Sequence, residues 1–470
     1  MIKVLRASAG SGKTYSLAKT YIRLLLSDND PVAYRHILAV TFTNKATEEM
    51  KSRILKELHL LATDPDRSSY KSDFVPSLFS TSEELKRKAG DILLRILHDY
   101  SAFAVSTIDR FFQQTLKAFS REIGQFASYQ VELDKKSLVA ETVDRILDSL
   151  TEDDKSLLKW LSDNMMEQIE QGKRPNLEKG LNDVATRLKS DEHRAIVEEN
   201  GIDEDDAYSK KRLTHMREVM RNVISSYEKS MREAAAAIEK ALSEGELAPP
   251  VASLWNIYER ESKAYKTARI LIKQIGGLGI ASELRSEFQN LLKEKNVLSL
   301  DDSNVILKNI IDGSDAPFIY EKLGTRYEHF LLDEFQDTSR VQWDNFKPLI
   351  ANSDSQGFEN LLVGDVKQSI YRWRSGDWRL LNNIQEEFNK SQMQIIPLST
   401  NYRSERRIVE FNNAFFSEAV NATFSELTLD EINGKEQLCN AYNSRELIQE
   451  TREKFEDKVL HPLVLIGLFV

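Results

Sequence analysis

The chain has 470 residues, enough for two to four domains, and its 41% hydrophobic and 29% charged residues suit a soluble protein with sizeable cores. A formal net charge of −10 excludes a surface coated in positive charge, so any nucleic acid has to be met by a local basic groove. The single cysteine, Cys439, excludes an internal disulfide framework and a Cys-based metal site, and no run of eighteen apolar residues offers a membrane span.

The apolar residues 2–5 predict a strand. They lead into Ala7-Ser8-Ala9-Gly10-Ser11-Gly12-Lys13-Thr14, and residues 15–26 follow with helical spacing. Strand, glycine-rich loop and helix in that order form a phosphate-binding loop. Glycine lets successive N–H groups turn toward an anion, and the helix brings its positive N-terminal end to the same point. Lys13 then reaches the β- and γ-phosphates of ATP, and the Thr14 hydroxyl is placed to hold Mg²⁺. Ala7 departs from the general pattern, which has Gly there. The loop occupies the place of a secretory signal; with the lone cysteine, this leads to an expected cytoplasmic location.

Residues 37–41 read as a buried strand, and 44–61 as a helix with Met50, Ile54 and Leu58 on one face. A short strand at 103–106 precedes a helix at 108–119. Strands alternating with helices predict a parallel sheet covered on both faces, an α/β fold. From about Leu133 to Lys295 the chain turns rich in Glu, Lys, Leu and Ala, and stretches such as 216–242 read as long amphipathic helices. The acidic run 203–206 lacks the Gly and Glu offsets of a calcium loop and is read as a solvated loop. Strand character returns at 329–332, 360–363 and 394–396, so the helical block reads as an insertion into the α/β domain. The apolar tail 463–470 is too short to span a membrane and reads as a buried strand.

The strand at 329–332 ends in Asp333 and Glu334. Asp333 is suited to bind Mg²⁺ through water, and Glu334 to polarise an attacking water as general base. Further on, Tyr371-Arg372-Trp373-Arg374 interleaves flat rings with cations, the combination that grips bases and phosphates of a single strand. Core packing is the competing role for Trp373. Phe42, Thr43, Asn44, Thr107, Arg110 and Phe111 are further DNA-contact candidates.

Five segments in order now define a resemblance. Residues 7–14 fit A-x-x-G-x-G-K-T, 41–46 read T-F-T-N-K-A, 333–338 read D-E-F-Q-D-T, 363–374 fit V-G-D-x-x-Q-S-I-Y-R-W-R, and 401–404 read N-Y-R-S. The chain resembles the UvrD/Rep-like helicases of superfamily 1, and within them the RecB/AddA branch of recombination helicase–nucleases. Six residues precede Ala7, which leaves no room for the upstream adenine-reading glutamine motif of other members, and the span from Lys13 to Asp333 is long.

The resemblance implies a RecA-like motor lobe over 1–130 and 296–398, a helical insertion over 131–295, and the start of a second RecA-like lobe over 399–470. It implies that Gly10, Gly12, Lys13 and Thr14 hold phosphates and Mg²⁺, with Asp333 completing the metal site. Gln336 and Gln368 lie near the γ-phosphate, Arg403 acts as an arginine finger, and Tyr402 and Tyr15 stack on adenine. It further implies an ATP-driven 3′–5′ helicase or translocase on single-stranded DNA that also meets duplex. The implied partner is a second helicase–nuclease subunit, with no membrane involved. Later motifs of the second lobe are not found, so the chain reads as an N-terminal portion with weak ATPase alone. The Asp301-Asp302 pair fits a family feature near the DNA path. The E-x-K string 456–458 has the form used by nucleases but stands without an upstream acid.

Two other classes share parts of the pattern. A P-loop kinase acting on small molecules leaves residues 41–46 and 371–374 unexplained. An inactive P-loop scaffold or DNA-binding module within a repair complex has no use for Lys13, Asp333, Glu334, Gln368 and Arg403 together.

Overall fold

The structure is a computed structural model. It describes all residues except 120–129, 133–134, 171, 173, 175, 191–192, 194–195, 198–199, 245–247, 300–303, 305, 309, 312–323, 373–374, 389–392, 427–447 and 452–470. The chain divides into two compact units, Met1–Ala127 with Leu300–Val470, and Ser128–Ser299. No helix among the described residues is long and apolar enough to cross a membrane.

In the first unit, strands β1 (Ile2–Ala7), β2 (Ile37–Thr41) and β3 (Val105–Thr107) precede the helical block. In the second unit, β4 (Gln130–Glu132) and β5 (Val297–Ser299) form a separate parallel pair. The first unit resumes with β6 (His329–Leu332), β7 (Asn360–Gly364) and β8 (Met393–Leu398). Its six strands form one sheet in the order β3-β2-β6-β7-β1-β8. Every adjacent pair is parallel, with registers such as Ile2↔Asn360, Lys3↔Gln394 and Ile37↔His329. Parallel strands buried on both faces need near-continuous apolar runs. β2 and β7 meet that demand, with all five residues of each buried.

Helices Lys13–Ser27, Asn44–Thr63 and Ser82–His98 pack beside the sheet in a core that joins Leu17, Tyr21 and Leu25 to Met50, Ile54, Leu58, Leu85 and Ile96. Met50, Ile54 and Leu58 are completely buried because a spacing of four keeps them on one helical stripe. The sheet inserts β6 between β2 and β7, so chain segments some three hundred residues apart become neighbours. The loops at the carboxyl ends of β1, β2, β6, β7 and β8 gather at one edge, the position where open α/β sheets bind ligands.

The second unit is helical apart from β4 and β5 among its described residues. Helices Lys210–Glu244 and Ala248–Leu278 pack along each other, with Tyr227 and Tyr265 stacked at 4.4 Å. A further core joins Leu138, Val143, Leu181, Phe288 and Leu291. Residues 203–206, read from sequence as a solvated loop, instead lead a one-turn helix, Glu204–Ala207. Asp203 caps it by accepting from the amides of Asp205 and Asp206. An aspartate at a helix entry satisfies amides that have no intrahelical partner.

Candidate functional site: a phosphate loop facing two carboxylates

Ala7 ends β1 and the loop turns sharply after it. Ser11 Oγ donates to the Ser8 carbonyl and accepts from the Ser8 amide, closing the loop on itself. Gly10 and Gly12 take φ of +79° and +85°, which other residues rarely adopt. Gly12 caps the helix that begins at Lys13, so unpaired amides of its first turn open toward the loop. Ala9 is exposed, and Thr14 and Tyr15 are half-buried on the first turn.

The Lys13 ammonium lies 3.1 Å from Glu334 Oε2 and 3.1 Å from Gln368 Oε1. Gln336 Nε2 donates to the same Glu334 oxygen at 2.8 Å, and Gln336 Oε1 accepts from the Asp365 amide at 2.9 Å. Gln368 Nε2 donates to Asp365 Oδ2 at 2.8 Å. The ends of β1, β6 and β7 are thereby joined by one polar network. Glu334 holds a left-handed φ of +50°, a conformation that a non-glycine residue adopts at some cost and that is frequent where function fixes the backbone.

Asp333 is buried at the end of β6, where its Oδ1 accepts from the Glu334 amide. Burial, then the neighbouring Glu334 charge, push its carboxyl up to about 7, while Lys13 and that amide work in the opposite direction. A buried carboxylate so placed gains from a cation beside it, which fits a divalent ion near the loop. Among the described residues there is no cluster of three or more His, Cys, Asp or Glu groups that could hold a metal.

A third chain segment closes the loop from outside. The Tyr402 amide donates to the Gly10 carbonyl at 2.9 Å, and Asn401 Nδ2 donates to the Ala9 carbonyl at 3.1 Å. Asn401 Oδ1 accepts from the amides of Arg403 and Ser404. The exposed Arg403 and the 55%-exposed Tyr402 therefore stand beside the loop. Tyr15 packs edge-on against Tyr70 at 4.6 Å, and its hydroxyl donates to the Ser69 carbonyl.

The DNA-contact candidates separate. Tyr371 and Phe42 are half-buried and lie ring to ring at 4.5 Å, and Asn44 and Arg110 are exposed. Thr43 and Thr107 spend their hydroxyl oxygens capping helices, accepting from the amides of Ala46 and Arg110. Phe111 requires a correction. It is 2% exposed, packed among Phe112, Tyr327 and Phe346, and its ring is closed to a base. The helix carrying it buries Ile108, Phe111, Phe112 and Thr115 on one stripe. Trp373, Arg374, Asp301, Asp302, Cys439 and the strings 456–458 and 463–470 lie outside the described residues.

Four further residues, to which the sequence reading assigns no role, border the site. Lys51 has its pKa lowered by burial and then by the nearby Arg110, which marks a basic spot beside the entry of the Asn44–Thr63 helix. Asp365 organises Gln368 and also pairs with Lys367 at 3.0 Å. Gln449 donates to the Ala9 carbonyl at 2.8 Å and accepts from Asn401. Asp337 is buried between the network and the Tyr371 segment. Asp337 carries a signal in its motif; Gln449 carries none.

The comparisons with known proteins follow the same lines. The chain is 22% identical over 91% of its length to an ATP-dependent helicase/nuclease subunit of Ligilactobacillus salivarius, covering 38% of that protein. It is 24% identical over 88% of its length to the RecBCD enzyme subunit RecB of Haemophilus influenzae, covering 40% of it. A shorter stretch, 30% of the chain, is 34% identical to RecB of Chlamydia pneumoniae, covering 13% of it. The chain thus spans about two fifths of the length of the first two relatives. Residues 2–389 match the UvrD/REP helicase N-terminal domain. With that match running through most of its length, and with the phosphate loop, Asp333–Glu334 and Gln368 meeting at one sheet edge, the chain belongs to the UvrD/REP helicase family.

Proposed function

We propose that this chain is the ATP-binding motor portion of a DNA helicase or translocase that works 3′ to 5′ on single-stranded DNA within a recombination or repair helicase–nuclease. The observation that carries the reading is the meeting of Lys13, Glu334 and Gln368 within hydrogen-bond distance, which supplies phosphate binding and a general base in one place. The names of the relatives, one a helicase/nuclease subunit, the other a RecBCD subunit, support a partner in the form of a second subunit.

In this reading the loop amides and Lys13 bind the β- and γ-phosphates of ATP. A triphosphate competes with Glu334 for the Lys13 ammonium, since phosphate carries more charge than one carboxylate. Glu334, relieved of that ion pair, accepts the proton of a water aligned on the γ-phosphate. Gln336 and Gln368 hold that carboxylate and the phosphate in register. Arg403, beside Gly10, neutralises charge that develops on the transferred group. Thr14 and Asp333 would hold Mg²⁺, which supplies charge neutralisation of the phosphate oxygens.

Tyr402 and Tyr15, which both lie beside Gly12, would receive the adenine. Phe42 and Tyr371 offer ring faces to bases, with Asn44, Arg110 and Lys51 available to the phosphates; the sequence adds Trp373 and Arg374 as candidates. Taken alone, the chain is expected to bind ATP and turn it over slowly, because the relatives continue well beyond the length it spans. Titration of a fluorescent ATP analogue with and without a short oligothymidylate tests the reading. Saturable binding of both, lost for nucleotide in Lys13→Ala, is expected; binding of neither overturns it.

A further inference from the structure

Between the Lys13–Glu334 pair and the Phe42–Tyr371 pair stands one buried carboxylate, Asp337. The Gln336 side-chain amide is shared by two acids. It donates to Glu334 Oε2 at 2.8 Å and to Asp337 Oδ2 at 3.3 Å. Burial, then the Glu334 charge, push the Asp337 carboxyl up to about 6, while the amides of Ile370 and Tyr371 on its other side and Lys13 work in the opposite direction; its Oδ1 makes no hydrogen bond of normal geometry.

The Tyr371 segment is also closed onto the backbone around Asp337. The Gly376 amide donates to the Tyr371 carbonyl at 3.1 Å, the Asp377 amide donates to the Thr338 carbonyl at 3.0 Å, and Ser339 and Gly376 form an antiparallel bridge. A Cβ on Gly376 would come to 3.0 Å from the Asp337 carbonyl oxygen and 3.1 Å from that of Tyr371. One side chain, Gln336, separates Asp337 from the acid that answers to Lys13.

We propose that Asp337 is the positioning residue that passes the state of the nucleotide site to Tyr371, through competition with Glu334 for the Gln336 amide. This rests on the function proposed above and deepens it. When phosphate takes Lys13, Glu334 is left without its cation and draws the Gln336 amide more strongly. Asp337 then depends on the Ile370 and Tyr371 amides and pulls them in, turning the Tyr371 ring against Phe42. An acceptor-only carboxylate is required for this exchange. An asparagine of the same shape carries no charge, and its NH₂ faces donors.

The test is the affinity of the full chain for fluorescein-labelled oligothymidylate, read by anisotropy without nucleotide and with a slowly hydrolysed ATP analogue. The unsubstituted chain is expected to change its affinity at least threefold between the two states. Asp337→Asn is expected to hold that ratio within 1.5-fold of unity while its affinity for the ATP analogue stays within twofold. Gly376→Ala, which pushes the same turn off the Asp337 backbone and leaves the carboxylate untouched, is expected to uncouple as well.

A full nucleotide-dependent change in both variants overturns the assignment. So does an Asp337→Asn protein that loses nucleotide affinity and melting temperature together while Gly376→Ala stays coupled, since that describes a structural role. Failure of the unsubstituted chain to bind oligonucleotide or analogue overturns the proposed function itself and this inference with it.

Discussion

Lys13 Nζ lies 3.1 Å from Glu334 Oε2, across 321 residues of sequence. The pair joins the phosphate loop to the proposed general base and makes the two compete for one charge. Glu334→Gln is expected to abolish steady-state ATP turnover yet bind the nucleotide about two- to tenfold more tightly, because the lysine is released to phosphate. Lys13→Ala is expected to weaken nucleotide binding by about 100-fold or more. Fluorescent nucleotide titrations check both; weaker binding by Glu334→Gln contradicts the competition.

Asp333 separates stability from activity. Its buried carboxyl is pushed up to about 7, so its ionised form is disfavoured by the fold. Asp333→Asn keeps the shape and removes that burden. In metal-free buffer at pH 8 it is expected to melt at the same temperature as the parent or a few degrees higher, with turnover lost by roughly 100-fold or more. Scanning calorimetry with chelator, beside an ATPase assay, reads both quantities. A melting temperature well below the parent's contradicts this account of the site.

The two loop glycines differ in what surrounds them. Both carry positive φ, which costs an L-residue about 1–2 kcal/mol. A Cβ at Gly10 would also come to 2.7 Å from Asn401 Oδ1 and 3.0 Å from Arg403 Cβ, whereas at Gly12 nothing lies nearer than 3.8 Å. Gly10→Ala is therefore expected to weaken nucleotide binding more than Gly12→Ala, by roughly tenfold or more, because it pushes the 401–403 segment off the loop. Equal losses in the two variants contradict that closure.

Phe42→Ala and Tyr371→Ala each remove one face of the aromatic pair. Stacking of a base on such a ring contributes about 1–3 kcal/mol, so each is expected to weaken oligonucleotide binding roughly 5- to 100-fold, with nucleotide affinity unchanged. Phe111→Leu, a core change, is expected to shift melting temperature instead of DNA affinity. Anisotropy and thermal melts together decide the matter.

Glu387 ties the segment after β7 to the helix Arg340–Ser355. It accepts from Arg340 at 2.6 Å, Trp343 Nε1 at 3.1 Å and Lys347 at 2.7 Å. Burial opposes its charge, but Lys347, Trp343 and Arg340 together hold its pKa down at about 2. A lowered acid pKa stabilises the fold above the unfolded value near 4.5 and loses that contribution as pH falls toward 2. Glu387→Gln is expected to lower the melting temperature by roughly 2–5 °C at pH 7, and the gap to the parent should narrow below about pH 4.5. Urea melts at pH 7 and pH 4 check the sign.

Local chemistry was legible in the sequence. The apolar runs of β2, β6 and β7 and the four-residue spacing of Met50, Ile54 and Leu58 announced their elements, because burial on two faces or one stripe leaves a short-range pattern. The loop at 7–14 and the pair Asp333–Glu334 were legible as candidates for the proposed phosphate and acid–base chemistry for the same reason: that chemistry needs particular side chains at fixed short spacings.

What only the tertiary structure decided is which distant segments meet and which faces are shut. The placement of β6 between β2 and β7, the clamp of Asn401 and Gln449 on the Ala9 carbonyl, the closure of Phe111 against Phe346 and the pairing of Lys13 with Glu334 all join residues far apart in the chain or fix their burial. Packing and hydrogen bonding act through space, and periodicity reports only which residues share a face, not what that face touches.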